Sequence, residues 1–278
     1  MKKKIKIILG IIAIYLLLIF VVLILIQKQF FFHPWHNEEA YQALKLNSDF
    51  EEVVIDNNGE KLNGWMRYNV KENNAPLVIF YGGNAENSSN TVLSFLYGGL
   101  YKYFEGYNLL MVDYPEYGLS EGKITEKTMF EAGLSIYDYA TKLECVDEDK
   151  IVILGYSIGT GVATYVSSQR DVNGLILLAP YDNAISLYNS VLNIFYGPMK
   201  IFAKYEFNSL EYAKNVNIEP LIYSSYNDEV ISYEFAINLE KNFKHKGKLE
   251  LLDNTTHNQY FSRQVVLDGI YNYLQERK

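Results

Sequence analysis

Gly155-Tyr156-Ser157-Ile158-Gly159 is a G-x-S-x-G pattern, the arrangement that presents a serine as a nucleophile. Residues 151–154 before it form a short apolar run, long enough for a buried strand and too short for a helix. Residues 160–169 after it suit a helix. On so sharp a strand-to-helix turn a serine holds strained backbone angles with its hydroxyl exposed. The flanking glycines avoid collisions across the turn. The helix N-terminus behind the serine brings partial positive charge to where an oxyanion would form. The pattern alone also fits a plain glycine-rich turn; the strand before and the helix after favour a nucleophile.

A serine nucleophile needs a base to take its proton and a third group to orient that base. The chain has four histidines. His33 and His36 adjoin the apolar N-terminus, and His245 lies in the polar stretch Lys244-His245-Lys246. His257 follows an expected strand at 249–252 and precedes the last expected helix. That is a C-terminal strand end, where open α/β sheets build their sites. Asp228, beyond the expected strand 221–223, is the favoured acid, and Asp182, just past Ala179-Pro180, is the alternative. The order Ser157, Asp228, His257 is that of the α/β-hydrolase arrangement. Two oxyanion donors are expected, the backbone N–H of Ile158 and that of Asn84 in the loop Gly82-Gly83-Asn84-Ala85. Each such donor is typically worth about 3 kcal/mol of barrier. This chemistry calls for no metal and no organic cofactor.

The elements that must hold these residues read as an alternation. Residues 50–55 and 62–68 flank Asp56-Asn57-Asn58-Gly59, a hairpin turn. After Asn73-Asn74-Ala75-Pro76, continuous apolar strands are expected at 77–81, 109–112, 151–154, 175–178, 221–223 and 249–252. Helix-compatible stretches lie at 88–104, 127–143, 159–169, 233–242 and 264–275. Fully apolar strands alternating with helices mean an α/β fold, a mostly parallel sheet with helices on both faces and the opening hairpin at one edge. Residues 181–215, with an aromatic-rich stretch at 195–205, interrupt the rhythm and read as a small lid.

The chain has 278 residues, enough for a membrane segment and one α/β domain. Its formal charge of −8 argues against nucleic acid as a partner. Cys145 is the only cysteine, which excludes an intrachain disulfide and a cysteine-based metal cluster. The 25 tyrosines are spread along the chain and read as core-edge filling.

Lys2, Lys3, Lys4 and Lys6 precede residues 7–26, which carry no charge. As a helix that run would span about 30 Å, the hydrocarbon thickness of a bilayer. The lysines predict a cytoplasmic N-terminus and a domain on the extracytoplasmic side. A cleaved signal peptide is the rival, but Gln27-Lys28-Gln29-Phe30-Phe31-Phe32 offers no small-x-small cleavage site. The expected organisation is therefore a cytoplasmic head and transmembrane anchor at 1–28, a membrane-proximal tether at 29–48 with a short helix at 38–44, and a catalytic domain at 49–278. Phe30, Phe31, Phe32 and Trp35 would suit the membrane interface. The low cysteine content and lysine-led charge fit a bacterial cell membrane.

Taken together, residues 50–270 resemble the α/β-hydrolase superfamily, and more narrowly its membrane-anchored serine hydrolases of the Bem46 and ABHD13/ABHD17 type. Phe80-Tyr81-Gly82-Gly83-Asn84-Ala85-Glu86-Asn87 is similar to the HGNAGN oxyanion loop, with Gly82 in place of histidine and Glu86 in place of glycine. Asp113-Tyr114-Pro115-Glu116-Tyr117-Gly118-Leu119-Ser120-Glu121-Gly122 is similar to DYRGYGxSxG, with Glu116 where glycine is usual. Asp228-Glu229-Val230-Ile231 resembles the DxxVP acid block without its proline, a cosmetic loss, and His257-Asn258 resembles GHN with Thr256 at the glycine. The resemblance implies a serine hydrolase acting on esters or thioesters, on a small-molecule, lipid or acylated-protein substrate. It leaves a peptidase of the same fold and a non-catalytic membrane-tethered binding module as alternatives. Glu116 is expected near the mouth of the site, facing water or disfavouring anionic substrates.

Overall fold

The computed structural model describes residues 2–70, 74–191 and 193–278. Asn73, in the turn expected before the first parallel strand, falls outside the described residues, as does Leu192 within the segment 181–215. The eight strands are β1 (Phe50–Asn57), β2 (Glu60–Arg67), β3 (Ala75–Tyr81), β4 (Asn108–Val112), β5 (Val146–Tyr156), β6 (Gly174–Leu178), β7 (Leu221–Ser225) and β8 (Lys248–Leu252). They form one sheet in the order β1-β2-β4-β3-β5-β6-β7-β8. The first two strands pair antiparallel through the turn at Asn58 and Gly59, and β2 joins β4 antiparallel. Every later pairing is parallel.

The helices are α1 (Lys2–Phe31), α2 (Glu38–Lys45), α3 (Ser88–Tyr97), α4 (Glu126–Ala140), α5 (Gly159–Gln169), α6 (Ala184–Val191), α7 (Ser209–Ala213), α8 (Tyr233–Glu240) and α9 (Gln264–Gln275). Because successive strand side chains point to opposite faces, the all-apolar β3 feeds two cores. Leu77, Ile79 and Tyr81 pack with Ile136 of α4, Val162 and Val166 of α5 and Leu239 of α8. Val78 and Phe80 pack with Val92 and Phe95 of α3 and Val266 and Ile270 of α9. Covering both faces is what permits a central strand without polar side chains.

Three expectations shift. The stretch 88–104 is not one helix: α3 ends at Gly98, Gly99 takes φ 63°, and a 3-10 turn follows at Leu100–Phe104. Left-handed geometry at a glycine is a common way to stop a helix. The strand expected at 151–154 begins at Val146, because Asp147, Glu148 and Asp149 extend its backbone beyond the apolar part that periodicity detects. The third shift concerns Phe31 and Phe32. Instead of facing a membrane interface they are 2% and 3% exposed, packed on Tyr188, Tyr205 and Phe207. The final turn of α1 is thus part of the domain's core.

Over residues 4–12 and 14–19 α1 is exposed, and it is the one helix among the described residues long and apolar enough to cross a membrane. The segment 181–215 folds as α6, a 3-10 turn at Gly197–Phe202 and α7.

Candidate active site

The site stands where β5 turns into α5. Ser157 takes φ 54°, a left-handed conformation costly for a residue with a Cβ. The turn is tied down on both sides: Ser157 N–H donates to Leu178 O at 2.9 Å, and Thr160 donates through N–H and hydroxyl to Ser157 O at 3.0 and 2.6 Å. Both flanking glycines are required. A Cβ on Gly155 would stand 2.7 Å from Ala163 Cβ, and one on Gly159 would stand 2.1 Å from Tyr81 O. Neither contact leaves room for a side chain.

Three side chains separated widely in sequence meet at this turn. His257 Nε2 lies 3.0 Å from Ser157 Oγ, and His257 Nδ1 lies 2.9 and 3.0 Å from the two oxygens of Asp228. An ionised carboxylate can only accept, so Nδ1 carries the hydrogen and Nε2 presents a lone pair to the Ser157 hydroxyl. Burial alone would raise Asp228. The hydrogen bond and charge of His257, with the N–H groups of Ile231 and Val230, outweigh it and hold the carboxyl below its usual range.

Asp182, the alternative acid, is instead bonded by Asn183 N–H and Asn238 Nδ2 and makes no hydrogen bond to His257. Ile231 donates its N–H to Asp228 Oδ1 at 2.9 Å. Ser232, which stands where DxxVP has its proline, caps α8 by accepting from Glu234 N–H at 3.3 Å.

Four residues around the three had no sequence role of their own. Tyr156 donates its hydroxyl to His257 O at 2.7 Å and stacks its ring on the imidazole at 5.4 Å. Glu229 accepts from His257 N–H at 3.1 Å, and Tyr260 donates to Asp228 Oδ2 at 3.0 Å. The histidine is thereby held through its ring, its N–H and its carbonyl. The fourth is Glu86, whose carboxylate accepts from Gly83 N–H at 2.6 Å. It fills the space where a Cβ on Gly82 would stand, 2.8 Å away. Burial pushes its carboxyl up to about 7, against the lowering effect of Gly83 N–H and the nearby His257. The loop signature showed only a glycine missing at 86 and a side chain missing at 82. In the folded protein one occupies the other's space.

Asn84 and Ile158 both border the cavity that holds Ser157. Among the described residues neither backbone N–H has a hydrogen-bond acceptor. The Asn84 carbonyl, by contrast, accepts from His33 N–H at 3.0 Å and from Tyr117 hydroxyl at 2.6 Å. Trp35 Nε1 donates to Ala85 O at 2.6 Å. The stretch immediately after α1 therefore fastens the Gly82–Ala85 loop from outside.

Glu116 does not border the Ser157 cavity. It forms an ion pair with Lys28 at 2.8 Å and accepts from Ile124 N–H, and these contacts outweigh its burial to hold its carboxyl below the usual range. Its φ of 72° explains why glycine suits that position. The cavity itself measures about 530 Å³ and is lined by Phe30, Phe31, Tyr181, Leu187, Val191 and Ile231 besides the polar groups at its floor.

A family model described as the alpha/beta hydrolase fold matches residues 75–200. The chain is 22% identical over 253 residues to an uncharacterized protein of Mycobacterium tuberculosis, covering 90% of this chain and 88% of that protein. It is 27% identical over 162 residues to the alpha/beta hydrolase domain-containing protein aho-3 of Caenorhabditis elegans, covering 58% of this chain and 46% of that protein. Among solved structures, it is similar to Est1E from Butyrivibrio proteoclasticus with ferulic acid bound. The TM-score is 0.67 at 21% identity, over 81% of this chain and 98% of that one. The Pyrococcus furiosus esterase Pf2001 gives a TM-score of 0.67 at 18% identity, over 89% of this chain and 99% of that one. The chain has the α/β-hydrolase fold, and its structural neighbours include esterases.

Proposed function

We propose that the protein is a membrane-anchored serine hydrolase that cleaves carboxylic ester or thioester bonds through an acyl-enzyme, on a lipophilic or acylated substrate. The observation that carries this reading is the hydrogen-bonded line from Ser157 through His257 to Asp228, at 3.0 and 2.9 Å, with Ser157 and Asp228 lining a largely apolar cavity. Ser157 Oγ attacks the substrate carbonyl as its proton passes to His257 Nε2, and Asp228 stabilises the imidazolium. The carbonyl oxygen, now an anion, takes hydrogen bonds from the N–H groups of Ile158 and Asn84. Collapse breaks the bond to the alcohol or thiol, which leaves with the proton from His257. Water, deprotonated by the same histidine, then releases the acyl group and restores Ser157.

In this reading residues 1–28 anchor the chain with a cytoplasmic N-terminus, and the catalytic domain, residues 49–278, faces the extracytoplasmic side. Residues 181–215 act as a lid over the cavity, and residues 29–48 join anchor to domain. The apolar α1 and its leading lysines support the anchoring. The loop and acid-block motifs support a relationship to the Bem46 and ABHD13/ABHD17 type.

The test is fluorophosphonate labelling of the full-length protein in detergent, with turnover of p-nitrophenyl esters from acetate to palmitate. Ser157→Ala should abolish labelling, and Ser157→Ala and His257→Ala should each cut turnover by about 10⁴-fold or more. A folded wild type that neither labels nor turns over would overturn the proposal.

A further inference from the structure

The end of α1 is a wall of the cavity that contains Ser157, and it is also fastened to the 181–215 segment. Phe30 and Phe31 line that cavity. One turn earlier, Gln27 is buried, and its amide makes three hydrogen bonds. Its Nε2 donates to Phe202 O at 3.0 Å, while its Oε1 accepts from Tyr188 hydroxyl at 2.7 Å and Lys204 N–H at 2.6 Å. Two turns earlier still, the Phe20 ring lies edge-on to Phe202 at 3.9 Å. Phe20, Gln27 and Phe31 lie along one face of the helix at spacings of seven and four.

This contact sets a depth. Phe20 precedes Ile26, the last residue of the uncharged run, by six residues, or about 9 Å of helix rise. A side chain touching Phe20 therefore reaches the level of the hydrocarbon if α1 spans a bilayer. The residues around Phe202 fit such a location. Ile201 is 78% exposed and Tyr196 is 55% exposed, with Met199 beside them. Exposed Lys200, between Met199 and Ile201, and exposed Lys204 just beyond Phe202 have long apolar stems that can carry their charges up to lipid phosphates. Val191, at the end of α6, is both an exposed apolar residue and a lining residue of the cavity. An apolar path thus runs from the outside of α6 to Ser157.

We propose that residues 196–202 are seated in the bilayer beside α1, and that the acyl chain of a membrane lipid reaches Ser157 from the bilayer between Phe30 and Val191. Lipid acyl chains are the occupant of this surface because it is continuous with the membrane-crossing helix and shares its depth. The inference rests on the reading of α1 as a membrane span and of Ser157 as the nucleophile. It adds that the anchor delivers substrate besides holding the domain at the membrane.

The experiment uses the full chain with Cys145→Ser, reconstituted in phosphatidylcholine vesicles, with an environment-sensitive fluorophore on Ile201→Cys or, separately, on Val22→Cys of α1. Phosphatidylcholine brominated along its acyl chains should quench both labels several-fold. Quenching at 22 without quenching at 201 overturns the seating. Quenching at neither overturns the membrane span itself and the inference with it. The second arm compares palmitoyl ester embedded in vesicles with p-nitrophenyl acetate in water. Ile201→Asp should lower the ratio of the two rates about tenfold, since a carboxylate resists entering hydrocarbon. An unchanged ratio overturns acyl delivery from the bilayer. A wild type that turns over neither ester fails as a hydrolase and takes acyl delivery with it, while the quenching still decides the seating.

Discussion

The floor and the roof of the cavity are built in different ways. The floor carries Ser157 and Asp228, and His257 bridges them; all three follow the C-terminal ends of parallel strands. The roof is the end of α1 laid against α6 and the turn at Gly197–Phe202, held by one buried glutamine and a cluster of aromatic rings. A floor set by a sheet keeps its geometry to within the pleat. A roof set by a helix end and short helices has fewer hydrogen bonds to lose, and it is where opening should occur. Under the proposed function, the part that would do chemistry is separate from the part that would admit substrate.

That separation can be broken from either side. The largest effect is expected at the floor. Gly159→Ala puts a methyl 2.1 Å from the Tyr81 carbonyl, with backbone on both sides of the clash. It should cost about 3 kcal/mol or more in denaturant unfolding and abolish fluorophosphonate labelling at the same time. Retained labelling would show that the elbow relaxes more easily than its contacts imply.

At the roof, Gln27→Leu leaves Phe202 O, Lys204 N–H and the Tyr188 hydroxyl without their partner. A loss of about 1–3 kcal/mol is expected, confined to the roof. Amide exchange should accelerate in residues 185–205 while β5 and β7 stay protected. Equal acceleration throughout would mean that roof and floor unfold as one unit.

The smallest effect separates two carboxylates near the same histidine. Asp228 lies below its usual range, so it contributes stability above its unfolded value near 3.8, and that stability is lost as pH falls through its folded value. Glu86 lies above its ordinary 4.5, at about 7, so the folded state holds a proton that the unfolded chain has released. Stability should therefore fall as pH rises from about 4.5 to about 7 and then level off. Glu86→Gln keeps an acceptor for Gly83 N–H without the charge. It should remove this pH dependence, gaining at most about 2 kcal/mol over wild type at pH 8, since the residue is partly exposed. Melting curves of both proteins from pH 5 to 8 read the difference directly, and parallel curves would place the titration elsewhere.

Much of the fold was legible because it rests on short-range signals. All-apolar runs bounded by turn residues marked β3, β4, β6 and β7, a leucine-rich run interrupted by Glu250 marked β8, and the turn at Asn58-Gly59 marked the hairpin. The elbow was legible for the same reason, since its glycines and serine are consecutive. His257 and Asp228 could be selected because each follows a recognisable strand. The sequence favours Asp228 over Asp182 although both follow strands and both precede helices, and the structure sets the Asp228 carboxylate beside His257. The break at Gly98 and Gly99 was present in the letters, but helical periodicity on both sides masked it.

What the sequence determined by itself was the alternation that makes a covered parallel sheet, the elbow, and the apolar run at the N-terminus, all consequences of residues within a few positions of one another. What only the tertiary structure decided was the company these residues keep: Ile231 giving an N–H to Asp228, Glu86 filling the space beside Gly82, Lys28 claiming Glu116, and Phe30 and Phe31 walling the cavity of Ser157. Each of those outcomes depends on where two distant stretches meet in space. Hydrophobic periodicity says which face of an element is buried, but not what it is buried against.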